Sequence, residues 1–448
     1  MSAQSPLRVA VVSLGCPKAL VDSEKMLAAL AEAGCLVGAP SGEADVILIN
    51  TCAFIAPATE ESLSAVREAL ELKRRGLVRR VVVAGCLPQR QGRALLEAEP
   101  GIDAVVGVFD RDAVVEAVTG RERPFVRLGG PGGPCPDDRG RFRLTARHTA
   151  YLRLAEGCSA GCSFCTIPAI RGPLRSKPMD LVLAEAAELV ADGAVELNLI
   201  AQDTTAYGAD LEDGADLAGL LRRLNELDGL RWVRLMYAHP SSLSRAVIDA
   251  LADCGRVVKY LDLPIQHISE KVLAGMRRGY GRRRVEELLS ALRARVPGIA
   301  LRTTFIVGFP GEGRGEFKEL CQFVRRQRFD AVGVFTYWPE PGTAAARMPG
   351  QVAPATRRKR RGRLMRLQQE IAFAANARRV GSELEVLVDG VDPAGRCVGR
   401  HAGQAPEVDG ACILAAPVEA GRIVRVRVVD WEGYDLVVQP VAGLSNGK

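Results

Sequence analysis

The sequence predicts an α/β chain in three parts: an N-terminal parallel α/β sheet domain, a central partial (β/α)6 barrel and a small C-terminal β-barrel. Three observations carry this. Through the first two parts, short apolar runs alternate with amphipathic stretches, the pattern of parallel strands covered by helices. Between those parts the tract GGPGGPCPDDRGRFR, residues 129–143, is too rich in glycine and proline to hold a regular element. From about residue 381 the pattern turns to short alternating strands separated by Gly, Pro and Asp, the mark of a small barrel.

In the first part, residues 9–14, 45–50 and 80–84 read as buried strands. Asp22 and Ser23 are expected to cap a helix whose apolar face takes Met26, Leu27 and Leu30 and whose end is marked by Gly34. A second helix is expected over about 60–75. After the Gly/Pro tract, strands are expected at 151–155, 195–200, 232–237, 257–261, 300–307 and 331–336, with helices between. Six β/α units imply an incomplete barrel rather than a closed eight-stranded one. A basic, helix-prone run, 357–366, then leads to strands at 384–388 and 423–429. The expected division is therefore 1–128, a linker at 129–143, 144–379 and 380–448.

With 448 residues, 48% of them hydrophobic, the chain can build several real cores. It has no apolar run of the roughly 20 residues that span a bilayer, and residues 1–8 lack the basic-then-apolar layout of a secretory signal. A cytoplasmic protein without a membrane partner is expected. In that compartment the twelve cysteines stay reduced rather than pairing as disulfides, which makes metal ligation the use to test.

The sharpest motif is Cys158-Ser-Ala-Gly-Cys162-Ser-Phe-Cys165, directly after the first expected barrel strand, at the end where such barrels hold their active sites. A cubane cluster has four irons, so three thiolates leave one open to chelate the amino and carboxylate groups of S-adenosylmethionine and pass an electron to its sulfonium. Structural zinc is the alternative for closely spaced cysteines, but it calls for a fourth Cys or His, and none lies nearby.

Cys16, Cys52 and Cys86 lie far apart in sequence, yet each follows directly on an expected strand: VVSLGC, ILINTC and VVVAGC. In a parallel sheet all carboxyl ends share one edge, so the three thiols can converge there, again leaving one iron exposed. The glycines before Cys16 and Cys86 would let backbone approach a bulky cluster. The plainer alternative is three buried thiols acting as small apolar side chains. Cys35, Cys135, Cys254, Cys321, Cys397 and Cys412 share no context and read as core or surface thiols.

Matching stretches through nearly the whole length (SLGCPKALVDSE, NTCAFI, GCLPQR, EGCSAGCSFCTIPAIRG, LIAQDTTAYG, LPIQH, RTTFIVGFPGE and the terminal, TRAM-like barrel) make the chain resemble the radical S-adenosylmethionine methylthiotransferases, within them the RimO type. The resemblance implies two 4Fe-4S clusters, an auxiliary one on Cys16, Cys52 and Cys86 and a radical-generating one on Cys158, Cys162 and Cys165. It sets Phe164 near the adenine of S-adenosylmethionine, although Phe is more often core. Gln202 and Asp203 follow one barrel strand, and Thr304, Ile306 and Gly308 lie on or just past another, so all can face that cofactor. Gly308, Pro310 and Gly311 also fit a simple turn. His239 and His267, near strand ends, read as structural histidines rather than proton shuttles.

The implied reaction uses one S-adenosylmethionine to methylate a sulfur held at the auxiliary cluster and a second as radical source. An aspartate β-carbon on protein twelve of the small ribosomal subunit, free or on the ribosome, takes the methylthio group. A flavodoxin or ferredoxin as electron donor, a sulfur donor and a monomeric enzyme complete the expectation. The MiaB type instead modifies an adenosine in tRNA, and a non-catalytic iron-sulfur electron carrier or RNA-binding protein is the alternative of another class.

Two features favour the protein substrate. Gly15-Cys16-Pro17-Lys18 matches the ribosomal-protein enzymes. From Val380 onward, six Lys and Arg face ten Asp and Glu, whereas a phosphate-binding surface should be basic. An acidic barrel suits a basic protein partner, unless its carboxylates serve only solubility. The rest of the chain, with the run 357–366, is basic enough to meet rRNA. The sequence departs from the family pattern at Ala19, where Asn is usual, and at Trp338, where Ser is common, which puts local substrate contacts in doubt.

Overall fold

The computed structural model describes residues 5–441. Residues 1–4, part of the segment read for a secretory signal, and Lys448, counted in the terminal charge, lie outside the described residues. The chain forms two compact units. One comprises residues up to Leu144 with Arg153–Lys177 and Trp338–Ala346; the other comprises Thr145–Leu152, Pro178–Tyr337 and the remainder from Arg347.

The first unit is built on six strands: β1 (Arg8–Ser13), β2 (Leu36–Val37), β3 (Val46–Thr51), β4 (Arg80–Gly85), β5 (Ala104–Gly107) and β6 (Phe125–Arg127). They run parallel in the order β2-β1-β3-β4-β5-β6. Central strands of such a sheet are covered on both faces, which is why VILINT of β3 is buried throughout. Ile47, Ile49, Val81 and Val83 point to one core with Val66 and Leu70 of the helix Ala56–Arg74. Leu48 and Val82 point to the other, with Met26 and Leu30 of the helix Pro17–Glu32.

That helix corrects one expectation. It begins after Cys16 with Pro17, whose fixed φ suits the first helical position. Asp22 and Ser23 therefore sit in its interior, buried, rather than capping it. Their polar groups are taken by distant partners: Ser23 receives the Asn50 side-chain amide at 2.8 Å, and Asp22 pairs with arginines described below. Gly34, at φ +82°, does end the helix, with the Cys35 amide returning to the Leu30 carbonyl at 3.0 Å.

Residues 129–143 form no helix or strand, as expected, but the tract is anchored: Cys135 and Asp138 are buried, and the Phe142 and Leu144 amides bond Glu24 at 3.1 and 2.8 Å. Beyond it run β7 (Thr149–Arg153) and the short antiparallel pair β8 (Ala155–Glu156) and β9 (Arg175–Ser176), which brackets the Cys158–Cys165 loop within the first unit.

The second unit holds β10 (Glu196–Ile200), β11 (Trp232–Leu235), β12 (Val257–Asp262), β13 (Ala300–Val307) and β14 (Ala331–Thr336). With β7 they make an open six-stranded sheet in the order β14-β13-β12-β11-β10-β7, β10 to β14 pairing in parallel. The basic run lies in the helix Pro354–Arg379. The terminal segment closes into a five-stranded barrel of β15 (Glu383–Val391), β16 (Cys397–His401), β17 (Cys412–Leu414), β18 (Ile423–Glu432) and β19 (Asp435–Pro440).

Charged contacts fasten that barrel to β10, β11 and β12 of the open sheet. Glu196, fully buried, receives Arg234 at 3.0 Å and Arg400 at 2.8 Å; Arg234 also donates to the Ala402 carbonyl, and the Tyr260 hydroxyl to Asp409. Burial alone would raise the Glu196 carboxyl, but Arg400 and Arg234 pull it from 4.5 down to about 2. Its contribution is therefore full above about pH 4.5 and is lost as pH falls toward 2. Glu196→Gln, which leaves the buried Arg234 without a carboxylate while Arg400 keeps Asp389 at 2.8 Å, is expected to cost about 3 kcal/mol in urea unfolding near neutral pH, with a smaller difference in acid.

Candidate functional site

In the first unit the strand order reverses between β1 and β3, and ligands of open α/β sheets bind at the carboxyl ends flanking such a switch. Cys16 follows β1, Cys52 follows β3 and Cys86 follows β4, so the fold brings all three to adjacent strand ends. Each loop is pinned. The Cys52 amide and carbonyl both bond the Ser62 hydroxyl, at 3.1 and 2.8 Å. Thr51 bonds the Ala84 carbonyl at 2.6 Å and receives the Leu87 amide at 3.3 Å.

The two expected glycines are required, for reasons nearer than a cluster. Gly15 has φ +100°, and a Cβ there would lie 2.8 Å from the Cys52 Cβ. Gly85 has φ +95°, and a Cβ would strike the Asn50 side chain and the Thr51 carbonyl. Both glycines let neighbouring strand ends close together.

The three thiols share one field. Burial works against ionising Cys16, but Lys18, Arg171 and the Ala19 and Lys18 amides outweigh it and lower its pKa. Burial pushes Cys86 up to about 11 against the pull of Arg171, with Cys16 and Cys52 adding to the rise. Cys52 is raised by burial, in part offset by the Phe54 amide.

The second set occupies the loop between β8 and β9. Its ends are clasped by the Cys158 amide on the Gly172 carbonyl at 3.0 Å, and a Cβ on Gly157 would collide with the Pro173 carbonyl. Amides point at sulfur: Ala160 to Cys158 at 3.5 Å and Ile167 to Cys165 at 3.4 Å, contacts that favour thiolates. Phe164 is partly buried on this loop. Just past it, the Thr166 hydroxyl bonds the Phe54 carbonyl at 3.0 Å, tying the sequence after Cys165 to the sequence after Cys52.

Among the described residues no three His, Cys, Asp or Glu close on a single metal ion. One zinc would draw its sulfurs to about 2.3 Å from a common centre. A cubane instead bonds each thiolate to a different iron and needs them spread around a wider space. Two sets of three cysteines, with cations and amides turned to the sulfurs, fit clusters of that kind.

A buried charge network unites these parts, and sequence reading missed it. Asp138, in the Gly/Pro tract, receives Arg153 at 2.6 Å, Arg111 at 2.7 Å and Lys177 at 2.7 Å. Arg153 also meets Asp22 at 2.7 Å and Glu156 at 2.8 Å. Arg171 meets Glu156 at 2.8 Å and Asp22 at 3.1 Å, and its Nη2 lies 3.6 Å from the Cys86 sulfur. The available signal was Arg153 in the apolar strand TAYLR, where a charge demands a partner. Another contact set centres on buried Glu340, which accepts the Ala56 amide at 2.6 Å and Arg90 at 2.8 Å. Of the two departures noted in the sequence, Ala19 is buried beside Gly15, while Trp338 is 41% exposed.

The other candidates lie in the second unit. Gln202 is partly exposed just past β10. The Asp203 carboxylate caps the turn Thr204–Ala206, taking Thr205 Oγ1 at 2.7 Å, Ser242 Oγ at 3.1 Å and the Ala206 amide at 3.2 Å. Thr304 and Ile306 lie on the partly exposed face of β13, opposite Phe305, whose ring packs on Phe323 and Phe329. Gly308, at φ +77°, gives its amide to Glu312 and leaves no room for a Cβ beside Arg357. His239 and His267 are buried, which lowers both to about 3; the His239 Nδ1 pairs with the Ser241 hydroxyl at 2.6 Å, and the His267 Nδ1 accepts the Ser269 amide at 3.0 Å. Cys35, Cys135, Cys254, Cys321, Cys397 and Cys412 are all buried.

Three family matches cover the chain: the uncharacterized protein family UPF0004 at residues 8–107, the radical SAM superfamily at 152–324 and the TRAM domain at 380–441. The ribosomal protein uS12 methylthiotransferase RimO of Geotalea uraniireducens (strain Rf4) is 43% identical over 98% of this chain and 99% of its own length. That of Anaeromyxobacter sp. (strain K) is 45% identical over 97% of this chain and 93% of its own. Among solved structures, the radical S-adenosylmethionine methyltransferase TsrM from Kitasatospora setae, with cobalamin and a [4Fe-4S] cluster bound, has a TM-score of 0.56 at 19% identity, covering 76% of this chain and 77% of TsrM, a likeness of fold.

The glycine geometry makes a paired prediction. Gly85→Ala should destabilise the protein by roughly 1–3 kcal/mol. Gly34→Ala, at a similar φ with nothing within 4 Å of the new Cβ, should cost less. Urea unfolding of the two variants checks it, the difference reporting the contacts with Asn50 and Thr51 together with the Gly85 backbone at ψ −144°.

Proposed function

The chain belongs to the RimO family of ribosomal protein uS12 methylthiotransferases, and we propose that it places a methylthio group on the β-carbon of an aspartate of uS12. In this reading Cys16, Cys52 and Cys86 hold an auxiliary 4Fe-4S cluster, and Cys158, Cys162 and Cys165 hold a second that binds S-adenosylmethionine. The observation that carries it is the meeting of Cys16, Cys52 and Cys86 at adjacent strand ends, in the same compact unit as the CxxxCxxC loop.

When bound, the clusters and two molecules of S-adenosylmethionine supply methyl transfer to sulfur and the reductive cleavage that yields a carbon radical. The chain's own residues supply placement. The Ala160 and Ile167 amides orient Cys158 and Cys165. Arg171 sets positive charge beside Cys86. Phe164 offers a flat ring to the adenine of the cofactor. Asp203 orders the turn after Gln202.

The division of labour in this reading is an auxiliary-cluster domain at 1–128, a linker at 129–143, a radical domain at 144–379 and a substrate-binding barrel at 380–448. The acidic excess of that barrel suits a basic ribosomal protein through complementary steering. It does not suit tRNA, and the relatives favour neither the tRNA reading nor a non-catalytic iron-sulfur protein. No helix among the described residues is long and apolar enough to cross a membrane. The reading places a monomeric enzyme in the cytoplasm, fed by a flavodoxin or ferredoxin and by a separate sulfur donor.

Anaerobic incubation of the reconstituted protein with uS12 or with total tRNA, S-adenosylmethionine, reductant and sulfide, followed by mass spectrometry, tests the proposal. An added methylthio mass on an aspartate of uS12 alone is expected, and Cys158→Ala should abolish it. The same mass on tRNA adenosine alone would overturn the substrate.

A further inference from the structure

Among the cations near the strand-end thiols, Arg171 is singular in origin. It ends the short helix Ile167–Arg171, directly after the Cys158–Cys165 loop, and its neighbour Gly172 clasps Cys158. Its guanidinium nevertheless reaches the other cysteine set, 3.6 Å from Cys86 and close enough to act electrostatically on Cys16 and Cys52. The side chain is 3% exposed, so water screens its charge weakly.

The network around it turns one of its cations toward the thiols. Arg111, Arg153, Arg171 and Lys177 meet three buried carboxylates, Asp22, Asp138 and Glu156. Arg111 has a further, exposed partner in Asp112 at 3.7 Å, and Arg171 is the member turned to sulfur. Its two other bonds, to Glu156 and Asp22, fix the planar fork so that one edge faces Cys86.

We propose that Arg171 is a positioning residue that couples the two cysteine sets, holding the 158–165 loop in register with Cys16, Cys52 and Cys86 and biasing the group they hold toward its reduced state. The inference rests on the two-cluster reading above. Physically, each electron added to a cluster makes it more negative, so a weakly screened cation beside its ligands stabilises the reduced form and raises the midpoint potential. Outer groups that orient metal ligands typically affect affinity or activity by about 10–100-fold when removed.

The test is a redox titration of the full-length reconstituted protein, followed by electron paramagnetic resonance, with iron content measured alongside. The parent should carry about eight irons per chain, two cubanes' worth; about four would refute the two-cluster reading itself, whatever Arg171 does. In Arg171→Gln the auxiliary midpoint should fall and uS12 methylthiolation should drop by about tenfold or more. Arg171→Lys, which keeps the charge without the fork, should recover most of the potential and less of the activity. Combining Arg171→Gln with C158A/C162A/C165A leaves only the auxiliary signal and should show the same fall against that background.

Arg171→Gln leaves Glu156 and Asp22 with Arg153 in place of two arginines and can fail to fold, so Arg171→Gln with Glu156→Gln, removing a cation and a carboxylate together, is run beside it. A lowered midpoint in either folded variant, recovered by lysine, supports the proposal. A midpoint equal to the parent's in every variant that folds, with eight irons in the parent, overturns it and leaves the two-cluster reading standing.

Discussion

Burying Arg153, Arg171 and Lys177 away from water costs several kcal/mol per ion unless each finds an opposite charge, and Asp22, Asp138 and Glu156 meet that requirement from three separated stretches of chain. Asp22 comes from the helix after Cys16, Asp138 from the Gly/Pro tract, and Glu156 from the strand before Cys158. The network can close only when all three stretches are in place. The cysteine loop, the tract and the first helix therefore have one arrangement in common, and the geometry of both cysteine sets follows from it.

The parallel sheet contributes the other half. Its switch point puts Cys16 and Cys52 on neighbouring strand ends and Cys86 on the next, and glycines at 15 and 85 let those ends approach. One cation of the network, Arg171, then faces these thiols. In the second unit, packing is handled by a different charged cluster, around Glu196, Arg234 and Arg400, which locks the five-stranded barrel to the bottom of the open sheet. Fold and electrostatics divide the work: strand order gathers the thiols, and buried ion pairs fix what surrounds them.

Local chemistry carried much of this into the sequence. Runs such as VILINT and RTTFIV announce strands because they are short and rich in β-branched and aromatic residues, and cysteines placed just past such strands declare the edge they occupy. Ligand spacing in Cys158–Cys165 is local and equally plain. What stayed hidden is long-range. Asp22 and Ser23 have the composition of a helix cap but spend their polar atoms on Arg153, Arg171 and Asn50. Asp138 sits in a tract whose composition announces only irregularity, yet it binds three cations. The glycine at 85 signalled a close approach but not its partner, the Thr51 backbone. Arg171 stood in a recognisable motif with nothing nearby to say that its guanidinium reaches another cysteine set.

The central claim is that one buried charge network holds both cysteine sets, and hydrogen exchange read by mass spectrometry on Asp138→Ala tests it most directly. Removing the carboxylate that binds Arg111, Arg153 and Lys177 should speed exchange in 129–143 and also in 157–172 and 15–22, which Arg153 links to it through Glu156 and Asp22. Faster exchange confined to 129–143, with both cysteine regions protected as in the parent, would contradict it.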